Sequence, residues 1–291
     1  MVYDRNERKT KIMSNQLLLC AGYYARFFMI KVSLLLVLIA FRSIVEGGNS
    51  ALCILTVRPR LETIEFAQQL SADGQNYGLD VYLLVDDESF HFSSSQIHLL
   101  NISRQQCHSH GYFNTTSYGS KTLRVVAWDK ALYYFCVLNL HYSFVWFTEE
   151  DVFIPDVQSF RSLHQLYSLN SDLIISSNRV NRFGNSSYWQ WSRAVDKFLP
   201  PWSSSMVNTV GVSRRLLTSI SDYIHWRGHS AFHEFFFLTL AMQSKMIIRT
   251  PLEMITLRYR QNIYWTHVKR RPNNLWHPMK NSRQRRTWRD K

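Results

Sequence analysis

The chain has 291 residues, with 34 Lys or Arg against 21 Asp or Glu, a formal net charge of +13, and 46% hydrophobic residues. That apolar content suffices for a core and excludes disorder as the dominant state, while the length suits one large domain or two small ones. Glycine is scarce, 10 residues where average usage predicts about 20, and no P-loop, G-x-G-x-x-G or G-x-S-x-G string occurs. Any phosphate this protein handles therefore falls to a metal ion or to cationic side chains.

Residues 1–31 carry six basic groups against Asp4 and Glu7, a net +4, and form a basic N-terminal tail. Residues 32–45 contain the one long apolar run, VSLLLVLIAF, closed by Arg42. Ten apolar residues cover about half of a ~30 Å hydrocarbon core, which suits the h-region of a signal peptide. Extended to 27–45, with Lys31 and Arg42 reaching the two interfaces, the same stretch reads as a type II membrane anchor. Either reading keeps residues 1–31 in the cytosol and sends the remainder to the lumen of the endoplasmic reticulum or Golgi, or out of the cell after cleavage. Three N-x-[ST] sequons, at Asn101, Asn114 and Asn185, fall in polar stretches that read as loops and agree with a lumenal body. Of the four cysteines, Cys20 stays on the cytosolic side, and Cys53 and Cys136 lie in apolar segments that favour buried thiols.

From residue 50 the pattern alternates. Residues 51–57 form a short apolar run ended by Arg58-Pro59 and read as a buried strand; 61–72 place Leu61, Ile64, Ala67 and Leu70 at helical spacing; 80–85 form a second buried strand ended by Asp86-Asp87. This βαβ unit implies a parallel sheet with right-handed crossovers. Residues 88–122 read as irregular, 128–140 as a helix, 143–147 as a strand, 156–169 as a helix and 172–176 as a strand. A long loop over 177–205 holds Trp189, Trp191 and Trp202, which either pack on the core or offer their faces to sugar rings. A strand over 206–212, helices over 214–224 and 232–244, and a strand over 246–249 follow. The prediction is an α/β fold, a Rossmann-type open mixed sheet flanked by helices in a single domain over 50–280, with a solvated basic tail over 281–291. The charge agrees with this division: residues 258–291 carry +10, and the body over 32–257 carries −1.

Open α/β sheets place their sites at the carboxyl ends of the strands. The segment VWFTEEDVFIP, residues 145–155, sets three consecutive acids directly after a buried strand. Like charges so close need a cation to offset them, and oxygen ligands favour Mg²⁺ or Mn²⁺. In an extended stretch residues two apart point the same way, so Glu149 and Asp151 face one ion while Glu150 points elsewhere. The plainer reading is an acidic turn in which Asp151 caps the next segment. Lys130 stands at a helix start, where a cation opposes the helix dipole; a phosphate contact or an ion pair with Asp129 or Asp151 accounts for it. His225, His229 and His233 recur at four-residue intervals, but Gly228 interrupts the helix that a zinc site would need.

With AWDKALYYF upstream, VWFTEEDVFIP resembles the motif region of the metal-dependent GT-A glycosyltransferases, in which a D-x-D-type motif follows a hydrophobic strand. The resemblance runs from about Ala51 to Lys280. It implies a nucleoside-diphosphate sugar as donor, with Arg58 and Asp86 at the nucleotide and Lys130 beside them. It implies Mn²⁺ or Mg²⁺ at Glu149, Asp151 and His277, and Lys280 on the diphosphate, the last two from LWHPMK at 275–280. Residues 208–217 look like the glycine-containing loop and strand that precede the acceptor side. Glu234, in AFHEFFFLTL, takes the position of the family's acid and is the implied base toward a hydroxyl on a glycan, protein or lipid acceptor. Two departures stand out: Glu149 replaces the leading Asp, and Phe235 follows Glu234 where a second acid is common. A non-catalytic carbohydrate-binding or scaffold protein on the same fold is the alternative. Nucleic acid is not an expected partner, because the lumen holds none.

Overall fold

The computed structural model describes residues 49–114, 125–187 and 191–290. The basic leader, the apolar run over 32–45, Cys20 and Trp189 lie outside them. Residues 48–291 form one compact unit. Among the described residues, no helix is long and apolar enough to cross a membrane.

The centre is a seven-stranded mixed sheet in the order β3-β2-β1-β4-β8-β5-β9. Its strands are β1 Ser50–Thr56, β2 Leu79–Val85, β3 His98–Leu100, β4 Phe144–Glu149, β5 Leu173–Ile174, β8 Thr209–Ser213 and β9 Ile248–Arg249. All neighbours pair parallel except β8, which runs antiparallel to both β4 and β5. The expected α/β architecture, an open mixed sheet with helices on both faces, is present. Strand sequences explain the two faces. In β1, Leu52 and Ile54 enter one core with Phe160 and Leu163, whereas Ala51, Cys53 and Leu55 enter the other with Ile220 and Phe236. A strand buried on both sides reads as a continuous apolar run, as SALCILT does. The first core is roofed by α1 Leu61–Gly74 and α4 Val157–Tyr167; the second by α3 Ala127–Tyr133, α5 Arg214–Arg227 and α6 His233–Gln243.

Several expectations change. Residues 88–122 are not irregular throughout, since they contain β3 and α2 Arg104–Ser109, whose N-cap Ser103 accepts from the Gln105 amide. The helix expected to reach residue 140 ends its α-helical part at Tyr133 and closes with a π-helical turn, Tyr134–Leu138. The long loop holds a two-stranded antiparallel ribbon, β6 Arg179–Asn181 with β7 Trp202–Ser204. Trp191 and Trp202 are buried and stack on each other at 6.1 Å, so of the two readings for these rings packing on the core is the observed one. Asn114 is also buried, in a bridge to Ser230, unlike the exposed Asn101 and Asn185. Cys53, Cys107 and Cys136 are buried free thiols. Helix α5 stops at Gly228, whose φ of 75° suits glycine, so His225 and His233 lie on separate helices and the three-histidine spacing makes no common face.

The largest change is at the end. Residues 281–291 are not a solvated tail: Ser282–Arg289 form a helix, preceded by the short α7 Trp265–Arg270 and here named α8. Arg285 is buried, and it and Arg289 both pair with Glu62 of α1, while Arg286 pairs with Glu65.

Two consequences are measurable. A Cβ on Gly211 of β8 would lie 2.7 Å from the Phe144 ring and 3.2 Å from that of Trp146. Gly211→Ala should therefore destabilise by about 1–3 kcal/mol in urea unfolding, and a neutral result would contradict this packing. Buried His164 accepts from the Trp146 indole at 3.1 Å, and burial pushes its pKa down to about 4. Between about 4 and 6.5 the unfolded chain then binds more protons, so this contribution is present above pH 6.5 and lost as pH falls through the window. From pH 7 to 4 the native protein should lose about 3 kcal/mol more than His164→Gln; parallel stability curves would contradict the assignment.

Candidate metal and anion site

Parallel pairing brings the carboxyl ends of β1 and β4 together, and antiparallel β8 begins beside them. Glu149 ends β4 and its amide donates to the Asn208 carbonyl; Val152 donates back to the Glu149 carbonyl, closing a turn over 149–152. It is this turn, not an extended strand, that parts the three acids. Glu150 swings toward α1, where its carboxylate accepts from Thr56 Oγ1 at 2.6 Å, Thr63 Oγ1 at 2.8 Å and the Arg60 amide at 3.2 Å. Glu149 stays on the other side, accepting from Trp128 Nε1 at 3.0 Å and Asn208 Nδ2 at 2.6 Å. Asp151 does not cap the next helix, whose N-cap is Asp156. It lies 3.4 Å from His277 Nε2 instead.

Glu149, Asp151 and His277 each offer a ligand atom within 4.8 Å of the others, the first two half-buried and the histidine buried. His277 is oriented for this. Its Nδ1 lies 2.9 Å from the Arg258 carbonyl, which only accepts, so Nδ1 carries a hydrogen and Nε2 faces the acids, donating to Asp151 when protonated and offering its lone pair to a cation when not. Burial raises the Glu149 pKa against the Trp128 and Asn208 hydrogen bonds, with the Asp151 charge adding to the rise. For Asp151 burial works the same way but is outweighed by His277 and Lys280, so its pKa is lowered. Burial disfavours the His277 cation, yet the hydrogen bonds to Asp151 and Arg258 prevail and its pKa is raised. Two carboxylates and one imidazole form a donor set that suits Mn²⁺ or Mg²⁺, and the lone pairs left on each carboxylate suffice to bind one.

The acids face a cavity of about 360 Å³, bounded by Thr56, Val57, Arg60, Trp128, Lys280 and Arg285 with the three acidic residues. Its lining thus holds both acidic and cationic side chains. Lys280 is among the lining residues. Arg60 and Arg285 were missed, although Arg60 belongs to the polar run that ends β1, and only the fold of α8 discloses Arg285. Trp128 and Asn208, which hold Glu149, were also missed as site residues; both occur within segments singled out for other reasons. Arg58, Asp86 and Lys130 do not border this cavity. Arg58 is exposed, 3.9 Å from Asp87 and over the Phe90 ring. Lys130 is fully buried, with Nζ 3.2 Å from Asp86 Oδ1 and 3.3 Å from Glu88 Oε1, so its partner is neither Asp129 nor Asp151. Glu234 opens α6 close enough to Glu149 to feel its charge. Burial first and that charge second push its pKa up to about 7, against Arg193.

No family model matches this chain, and no curated protein does. Among solved structures, the mannosyltransferase Ktr4p from S. cerevisiae is similar over 66% of this chain and 62% of its own, less than two thirds of its length. The identity is 12% and the TM-score 0.34, a likeness too slight to argue from.

The donor set predicts direct Mn²⁺ binding. By electron paramagnetic resonance or calorimetry, Asp151→Asn should weaken it roughly 100-fold or more without lowering the unfolding midpoint, and equal affinity would exclude the site.

Proposed function

We propose that this protein is a metal-dependent glycosyltransferase of GT-A type, passing a sugar from a nucleoside-diphosphate donor to a hydroxyl on a glycan, protein or lipid. The observation that carries the reading is the Glu149–Asp151–His277 cluster at the carboxyl end of a buried strand, with both acids on a cavity that Arg60 and Lys280 also line. A divalent ion held there supplies charge neutralisation for a diphosphate leaving group.

The remaining work belongs to the chain's own residues. Lys280 and Arg60 at the cavity rim attract and orient the anionic end of the donor. Trp128 and Asn208 hold the Glu149 carboxylate in place, and the Arg258 carbonyl holds the His277 ring. Glu234, with a pKa near 7, accepts the proton of the acceptor hydroxyl as its oxygen attacks the anomeric carbon, which favours an inverting outcome. Asp86 and Lys130, a buried pair, and exposed Arg58 lie outside the cavity, so in this reading none of the three contacts the diphosphate. The reading includes a lumenal site of action in the endoplasmic reticulum or Golgi, behind a signal peptide or type II anchor. The exposed sequons at Asn101 and Asn185 suit it, whereas buried Asn114 is an unsuitable acceptor of glycan.

Release of nucleoside diphosphate from a panel of donors, with Mn²⁺ and after chelation, tests the proposal; no turnover and no metal-linked donor binding would leave a carbohydrate-binding protein on the same fold. If Glu234 is the base, kcat/KM should rise with pH through about 7, because only the deprotonated carboxylate accepts the proton. Glu234→Gln should lower kcat by roughly 100-fold or more and remove that limb. A variant that keeps the limb would assign the base elsewhere.

A further inference from the structure

The Glu150 amide still donates to the Leu55 carbonyl of β1, at 2.9 Å, but beyond it the carbonyls of the acidic turn are met by a distant part of the chain. The Asp151 carbonyl accepts from the Met279 amide at 2.7 Å; Phe153 exchanges two hydrogen bonds with Trp276, at 2.7 and 2.9 Å; the Ile154 carbonyl accepts from Arg289 Nε at 3.1 Å. The Glu150 carbonyl accepts from Arg285 Nη1. That last contact differs from the rest. It is made to the peptide joining Glu150 to Asp151, and its donor is a charged side chain only 2% exposed. The same guanidinium forms an ion pair with Glu62 on α1, Nη2 lying 2.8 Å from Oε2 without hydrogen-bond geometry, and its Nε has no hydrogen-bond partner.

We infer that Arg285 is a positioning residue, which fixes the Glu150–Asp151 peptide from α8 and thereby sets Asp151 against His277. The metal consequence rests on the reading of Glu149, Asp151 and His277 as ligands; the positioning itself does not. A peptide rotated by a few tens of degrees would carry the Asp151 carboxylate away from His277, and the acids on either side repel, so a fixed cation at their shared peptide opposes the rotation in both ways. A planar fork is required to reach the Glu62 carboxylate and the Glu150 carbonyl together, which lysine cannot do with one nitrogen. Arg289 provides the internal comparison. It pairs with the same Glu62 and docks the same helix, but it touches the carbonyl of Ile154, three residues beyond Asp151.

Hydrogen–deuterium exchange on the full chain, beside Mn²⁺ binding, tests this. In Arg285→Met, amides over 150–154 and 276–280 should exchange roughly tenfold faster, and Mn²⁺ affinity should fall about 10- to 100-fold. Arg289→Met, which removes the contact to the Ile154 carbonyl, should speed exchange at 153–154 and at the end of α8 while leaving the 150–152 amides and Mn²⁺ affinity near native. Should Arg285→Met fail to fold, Arg285→Lys, which keeps the charge beside Glu62 and forfeits the carbonyl contact, is the deciding variant and should show the same changes. Unaltered exchange in the Arg285 variant, or equal effects from Arg285 and Arg289, would reduce the residue to a helix anchor and overturn the inference. If the native protein binds no Mn²⁺, the proposed function falls, and the exchange result alone decides the positioning role.

Discussion

Three carboxylates in consecutive residues at the end of a buried strand must be kept apart, and the structure around them follows from how that is done. A tight turn separates the backbone directions, and each acid then receives different company: indole and amide donors for Glu149, a hydroxyl from the end of β1 with a hydroxyl and an amide at the start of α1 for Glu150, an oriented imidazole for Asp151. Without those partners, like-charge repulsion would go unopposed at the strand end. The arrangement therefore keeps charge concentrated at one point, which is the condition for holding a divalent cation.

The basic excess answers the same constraint from the other side. A net charge of +13 suggests a surface for polyanions, but two of the late cations, Arg285 and Arg289, turn inward. Arg285, Arg286 and Arg289 pair with Glu62 and Glu65 along α1, and the helix that carries them closes the back of the acidic turn. Burying two guanidiniums beside one carboxylate is favourable only where further acceptors exist, and the carbonyls of Glu150 and Ile154 are those acceptors. Lys280 and Arg60 are left at the cavity itself, so the number of cations available to a ligand is small and their position definite.

Lys130 shows why residue type and position in a helix do not suffice to assign a role. A lysine at a helix start needs an acidic partner, and the sequence offers Asp129 next to it. Asp129 is instead turned to its own helix, accepting from the Val126 amide and from Ser230, and burial pushes its pKa up to about 7. The lysine reaches across to Asp86 at the end of β2, an acid 44 positions earlier in the chain. Pairing of β2 with β1, and of β1 with β4, creates that proximity, and no local pattern encodes it.

The sequence by itself determined the alternation of buried strands and helices, because a strand covered on both faces must be apolar at every position, and it located the acids, because a charged run after such a strand can only lie at the sheet's edge. It also placed Glu234 at a helix start and His277 and Lys280 in one short segment. What only the tertiary structure decided is which of these meet. Strand order set Asn208 beside Glu149, the turn at 149–152 sent Glu150 away from its neighbours, and the folding back of residues 276–289 turned an expected solvated tail into the support of the site. The physical reason is common to all three: burial and periodicity are local properties that a chain displays along its length, whereas ion pairs and hydrogen bonds between segments distant in sequence depend on the packed arrangement that brings them within reach.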